Sequence, residues 1–149
     1  MSITLTAVEV ESVLNKALSI SLPEPYNLAS VQLYGVTVDN DNSVSLVLID
    51  SDCDVYDLLA TPASVRDIVF DTYALLTTGW AAPLNGNKEI DCAPSEHEMR
   101  RRVRLAVVAN ADSAVCSVLR FEDEPEETVL DEGQATGSLA DAVSRFVTR

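Results

Sequence analysis

The chain has 149 residues, 47% of them hydrophobic, and a formal net charge of −14 from 24 acidic and 10 basic side chains. That length predicts one domain, residues 1–149, able to bury roughly 68–70% of its unfolded surface around a mainly aliphatic core. The charge opposes contact with nucleic-acid phosphates or anionic lipid. Residues 1–75 carry two basic side chains, Lys16 and Arg66, against eleven acidic ones, so a basic partner is favoured there.

The start has no basic region and no long apolar run, so neither a secretory signal nor a membrane span is expected. Cys53, Cys92 and Cys116 are odd in number and widely spaced, which fits free thiols and a cytoplasmic protein.

Residues 7–19 predict an amphipathic helix, with Thr6 as cap, Glu9 at the capping-box position, and Val10, Val13, Leu14, Ala17 and Leu18 inward. Pro23 and Pro25 end it. Strands follow at 31–36 and 43–50, joined by Asp39-Asn40-Asp41-Asn42, all turn formers. Residues 50–61 read as an acidic connection with a helical turn near Val55–Leu59. Thr61-Pro62 marks a helix start, with Val65, Ile68 and Val69 on one face.

The stretch 71–80 alternates as a strand and ends at Trp80. A long polar connection covers 81–99. Two β-like runs, 101–109 and 114–122, flank a turn at Asn110–Ser113. An acidic turn around Pro125 leads to a short edge strand at 128–130, and Ser138 caps a last helix, 139–148. The order α-β-β-α-β-β-β-(β)-α is α+β: a single, mainly antiparallel sheet of about five strands with helices packed on it. It is similar to small regulatory folds of the roadblock, profilin and GAF type, a likeness of topology from which no activity follows.

Catalytic and metal motifs are thin. Asp50, Asp52 and Asp54 alternate as in a calcium loop, but Val55 and Thr61 stand where glycine and glutamate are needed. Cys92 and His97 lack the companions of a zinc site, and Ser95-Glu96-His97-Glu98 is too local for a catalytic triad. With five glycines and no phosphate-loop motif, no cofactor and no metal are expected.

Arg100–Arg104 holds four of the ten basic residues. On a strand, Arg102 and Arg104 share one face, and Arg120 joins them if the register allows. Internal pairing with Glu96, Glu98 or the Glu122–Glu127 turn would neutralise them. Otherwise they hold carboxylates or phosphates. Candidate binding residues are therefore Trp80, His97, Arg102, Arg104 and Arg120.

The Thr78–Leu84 and Arg100–Leu105 segments resemble those of bacterial and phage proteins, with no family attached. The leading expectation is a non-catalytic, protein-binding accessory factor of bacterial or phage type, with edge strands open to homodimer pairing. Two alternatives are a sensor of a small anionic metabolite held by the arginines, and a DNA mimic. The mimic requires Asp39, Asp41, Asp50, Asp52, Asp54 and Asp57 to form one ridge.

Overall fold

In the computed structural model, residues 2–63, 70–81, 101–112, 114–132 and 138–148 are described. Helix α1 spans Ile3–Ser21, strands β1 Val31–Val38 and β2 Val44–Asp52, helix α2 Val55–Leu58, strands β3 Thr72–Ala81, β4 Arg101–Asn110, β5 Val115–Phe121 and β6 Glu124–Glu132, and helix α3 Ser138–Thr148. Six strands form one open antiparallel sheet in the order β2-β1-β3-β4-β5-β6, which makes the fold α+β.

Several boundaries differ from those expected. Helix α1 starts four residues earlier, because Ser2 has an extended backbone and its Oγ accepts from the Leu5 amide at 3.2 Å. Thr6 is not the cap. It lies inside the helix and its hydroxyl donates to the Ser2 carbonyl at 2.9 Å. The buried stripe is also rotated: Thr6, Ala7, Val10, Glu11, Leu14 and Leu18 face inward, whereas Ala17 is exposed.

The sheet has six strands rather than about five because the short strand expected at 128–130 runs from Glu124 to Glu132. A shift in register between Arg120 and Phe121 accompanies Pro125, which an edge strand tolerates because its missing N–H breaks no ladder bond there. The stretch at 71–80 is a strand, β3, as its alternation predicts, paired with β4 from Thr72↔Asn110 to Ala81↔Arg101. The turn at Asp39–Asn42 closes the β1–β2 hairpin, with Asn42 at φ 64°, where asparagine is tolerated. The helix expected after Thr61-Pro62 falls largely on residues outside those described, as does the connection expected at 81–99, of which Ala81 belongs to β3.

The sheet separates two apolar layers. Leu33, Tyr73, Leu75, Val107 and Val115 meet Leu58, Val143 and Phe146 from α2 and α3. Val36, Ala74, Leu76, Ala106, Val108, Cys116 and Val118 meet Ala7, Val10, Leu14 and Leu18 of α1. On the α2–α3 side, the Tyr73 ring stands edge-on to Phe70 and to Phe146, with centroids 5.9 and 5.2 Å away. Gly35 is required beneath Phe70: a Cβ there would sit 2.3 Å from the ring.

Candidate functional site

Strand alternation puts Arg102 and Arg104 on the same face as Ala106 and Val108, toward α1. The β4–β5 register sets Arg104 directly opposite Arg120. Two guanidinium groups this close repel unless a carboxylate lies between them. Glu11 supplies it from the inward face of α1.

Glu11 is 2% exposed and Arg104 is 1% exposed. Arg120 donates to Glu11 through Nε at 2.8 Å and Nη2 at 2.6 Å, a bidentate fork. Nη2 of Arg104 lies 3.6 Å from the same carboxylate and donates to Asn15 Oδ1, while its Nη1 donates to the Pro25 carbonyl at 3.1 Å. Its guanidinium carbon stands 4.6 Å from the Tyr26 ring centre. Arg102 Nε donates to the Tyr26 carbonyl at 2.8 Å and its Nη2 to Asn27 Oδ1. The arginines thereby tie β4 and β5 to α1 and to the segment that leaves it.

Burial pushes the Arg104 pKa down, an effect opposed by the nearby Tyr26 and Glu11. The Glu11 hydrogen bonds raise that of Arg120. Burial raises that of Tyr26 against the opposing pull of the Arg104 and Arg120 charges. Among the described residues, the buried Tyr26 hydroxyl and Arg104 Nε have no hydrogen-bond partner.

The opposite face carries Arg101, which chelates Asp123 through Nε at 2.9 Å and Nη2 at 2.6 Å and covers the Phe121 ring at 4.0 Å. That hydrogen bonding holds the Asp123 carboxyl below its usual range. Of the internal partners expected for the arginines, the Glu122–Glu127 turn thus serves Arg101, and its Pro125 carbonyl also accepts from Nη1 of Arg120. The carboxylate matched to Arg104 and Arg120 is Glu11, and Arg104 is too buried to present its charge to a docking protein. Trp80 is placed on β3 with its backbone opposite Arg102. His97, like Cys92, lies outside the described residues.

The carboxylates proposed as one ridge fall into two groups. Asp39 and Asp41 sit in the β1–β2 turn, whereas Asp50, Asp52, Asp54 and Asp57 lie at the far end of β2 and around α2. The eight steps of β2 from Val44, beside the turn, to Asp52 span about 26 Å. Between the groups runs Val44-Ser-Leu-Val-Leu-Ile49, with no charge at all. Val47 is 50% exposed, Leu48 54%, and Val38 on the neighbouring strand 39%.

Val47 is opposite Gly35, and Leu48 is opposite Tyr34, so apolar surface projects from both faces of this edge. The register skips Ile49, which confines the irregularity to one end and leaves 44–48 regular. Among the described residues, one shallow hollow of about 180 Å³ lies between Tyr56, Pro62 and Arg145, and another of about 450 Å³ lies between Val38, Phe70 and Thr72. Among the described residues no cluster of histidine, cysteine and carboxylate side chains suits a metal ion, and no helix is long and apolar enough to cross a membrane. No protein family, curated protein or solved structure matches this chain.

Proposed function

We propose that this chain is a non-catalytic protein-interaction module that docks another protein by strand addition along the β2 edge. The observation that carries the reading is the uncharged, regular, half-exposed run Val44–Leu48 at the end of the sheet order. An edge of that kind offers a row of backbone donors and acceptors to an extended segment, with Val47 and Leu48 gripping its two faces. Natural edges that stay alone are guarded by charge or proline. The opposite edge, β6, has both, with Pro125 and the carboxylates of Glu126 and Glu127. The edge β2 has neither over residues 44–49.

The arginine face, the first candidate from sequence, supports this reading only as scaffold. Its guanidinium groups are turned onto Glu11, Asn15, Asn27 and backbone carbonyls. The metabolite-sensor alternative therefore has no array of outward arginines among the described residues of β4 and β5 behind it. The DNA-mimic alternative has two separated acidic groups in place of a ridge.

A photo-reactive leucine analogue at position 48, irradiated in cells that make the protein naturally, tests the reading. A cross-linked adduct at 48 that disappears with Val47→Lys is expected. Adducts at a Leu130 control and none at 48 would overturn it.

A further inference from the structure

We infer that the segment seated on β2 is a cationic-ended strand: an extended stretch of about eight residues, apolar at alternate positions in the middle, with Lys or Arg at both ends. The inference rests on the reading of β2 as a docking edge and adds the chemistry of its occupant.

Charge supplies the argument. At one end of the edge, Asp39 and Asp41 accept hydrogen bonds from the Ser43 and Ser45 hydroxyls and the Ser43 amide, at 2.7–3.2 Å. At the other end, Asp52 accepts from the Asp54 amide at 3.0 Å, and Asp54 accepts from the amides of Tyr56 and Asp57 at 2.8 and 3.3 Å. Among the described residues, neutral donors orient these four carboxylates without cancelling their charge. The serine and amide hydrogen bonds hold the Asp41 carboxyl below its usual range, so it stays ionised.

Uncharged in the middle and anionic at both ends, the edge matches a strand of the complementary pattern. The strand's length follows from the roughly 26 Å that β2 spans at about 3.3 Å per residue. A second copy of the chain fits worse. Antiparallel pairing of two β2 strands about Val47 would bring the Asp50–Asp54 end of each copy toward the partner's Asp39–Asp41 turn, with a net charge of −14 on both sides.

Peptides test this directly. Three probes share a Val-Thr-Val-Thr-Val core and carry two Lys, two Ser or two Glu at each end. Binding is read by fluorescence anisotropy at low and high salt, and the site by hydrogen–deuterium exchange. The lysine-ended peptide is expected to bind at least about ten-fold tighter than the serine-ended one, with the difference shrinking as salt screens it. It should slow exchange at residues 44–48 and lose at least about ten-fold in affinity to the Asp41→Asn/Asp52→Asn variant. Val47→Lys should abolish binding while leaving the circular dichroism unchanged.

Equal binding of the serine- and lysine-ended peptides would overturn the charge requirement and leave β2 as a docking edge. A purified chain that sediments as a dimer, and as a monomer once Val47→Lys is introduced, would make the occupant a second copy and overturn the inference. Binding of no peptide, with no protection at 44–48, would overturn both the inference and the docking edge.

Discussion

Replacing Glu11 with glutamine removes the negative charge between Arg104 and Arg120 while keeping the size of the side chain. The carboxylate takes two short hydrogen bonds from Arg120 and lies 3.6 Å from Arg104 Nη2, a group with 1% exposure. Removing one member of a buried ion pair costs about 3–5 kcal/mol, because the remaining charge stays desolvated. Glutamine retains one acceptor for Arg120, and Arg104 keeps Asn15 and the Pro25 carbonyl, so the lower end, about 3 kcal/mol, applies. For a chain of this size that is a fall in melting temperature of about 6–12 °C. Urea unfolding followed by far-ultraviolet circular dichroism reads it as a lower midpoint at unchanged slope. A loss below about 1 kcal/mol, the worth of an exposed pair, would refute the burial argument. The triple variant Glu11→Leu/Arg104→Met/Arg120→Leu should recover most of the loss, since no buried charge then remains unpaired.

Gly35→Ala should destabilise by about 1–3 kcal/mol, because its Cβ would lie 2.3 Å from the Phe70 ring and the displaced ring would disturb the edge-on contact with Tyr73. Thermal unfolding checks this, and a melting temperature equal to that of the wild type would refute it. Tyr26→Phe should leave stability at neutral pH unchanged or slightly raised, since the hydroxyl has no hydrogen-bond partner among the described residues. Burial raises the pKa of both Tyr26 and Tyr34 above the usual 10.0. The unfolded chain therefore releases these protons first, and the stability they contribute is present below pH 10.0 and lost as pH rises toward the folded values. In the Tyr26→Phe variant this alkaline loss should be shallower, as read by urea midpoints across that range.

The alternation of apolar and polar residues foretold the class of fold and most of its elements. Residues 71–80 and 101–109 obey a period of two, and they are the paired central strands β3 and β4. The common face of Arg102 and Arg104 follows from the same period. Glu11, the carboxylate that pairs with Arg104 and Arg120, lies 109 residues from Arg120 in sequence, and no pattern near the arginines names it.

A signal was nevertheless present. Counting from Ala7 in steps of four and three reaches Glu11, Leu14 and Leu18, so periodicity places a carboxylate inside the apolar stripe of α1. A carboxylate there requires a cation from another element, and Arg104 and Arg120 stand opposite it. The β2 edge escaped for a different reason. Val44–Ile49 reads equally well as a central or an edge strand, and only the sheet order, with β1 paired to β3 on its other side, leaves β2 outermost.

The docking of α1 on β4 and β5 also dictates when this protein can fold. During synthesis helix α1 lacks part of its apolar seat, and the Arg120 guanidinium that matches Glu11, until residues near Arg120 have emerged. At translation rates of about 5–20 residues per second, that wait is roughly 5–20 s. Meanwhile the amphipathic helix has its inward face open to solvent and to chaperones. Docking of α1 is thus postponed until β5 has emerged, and a chain cut short before β5 would keep a helix with a buried-type carboxylate and no Arg120 to match it.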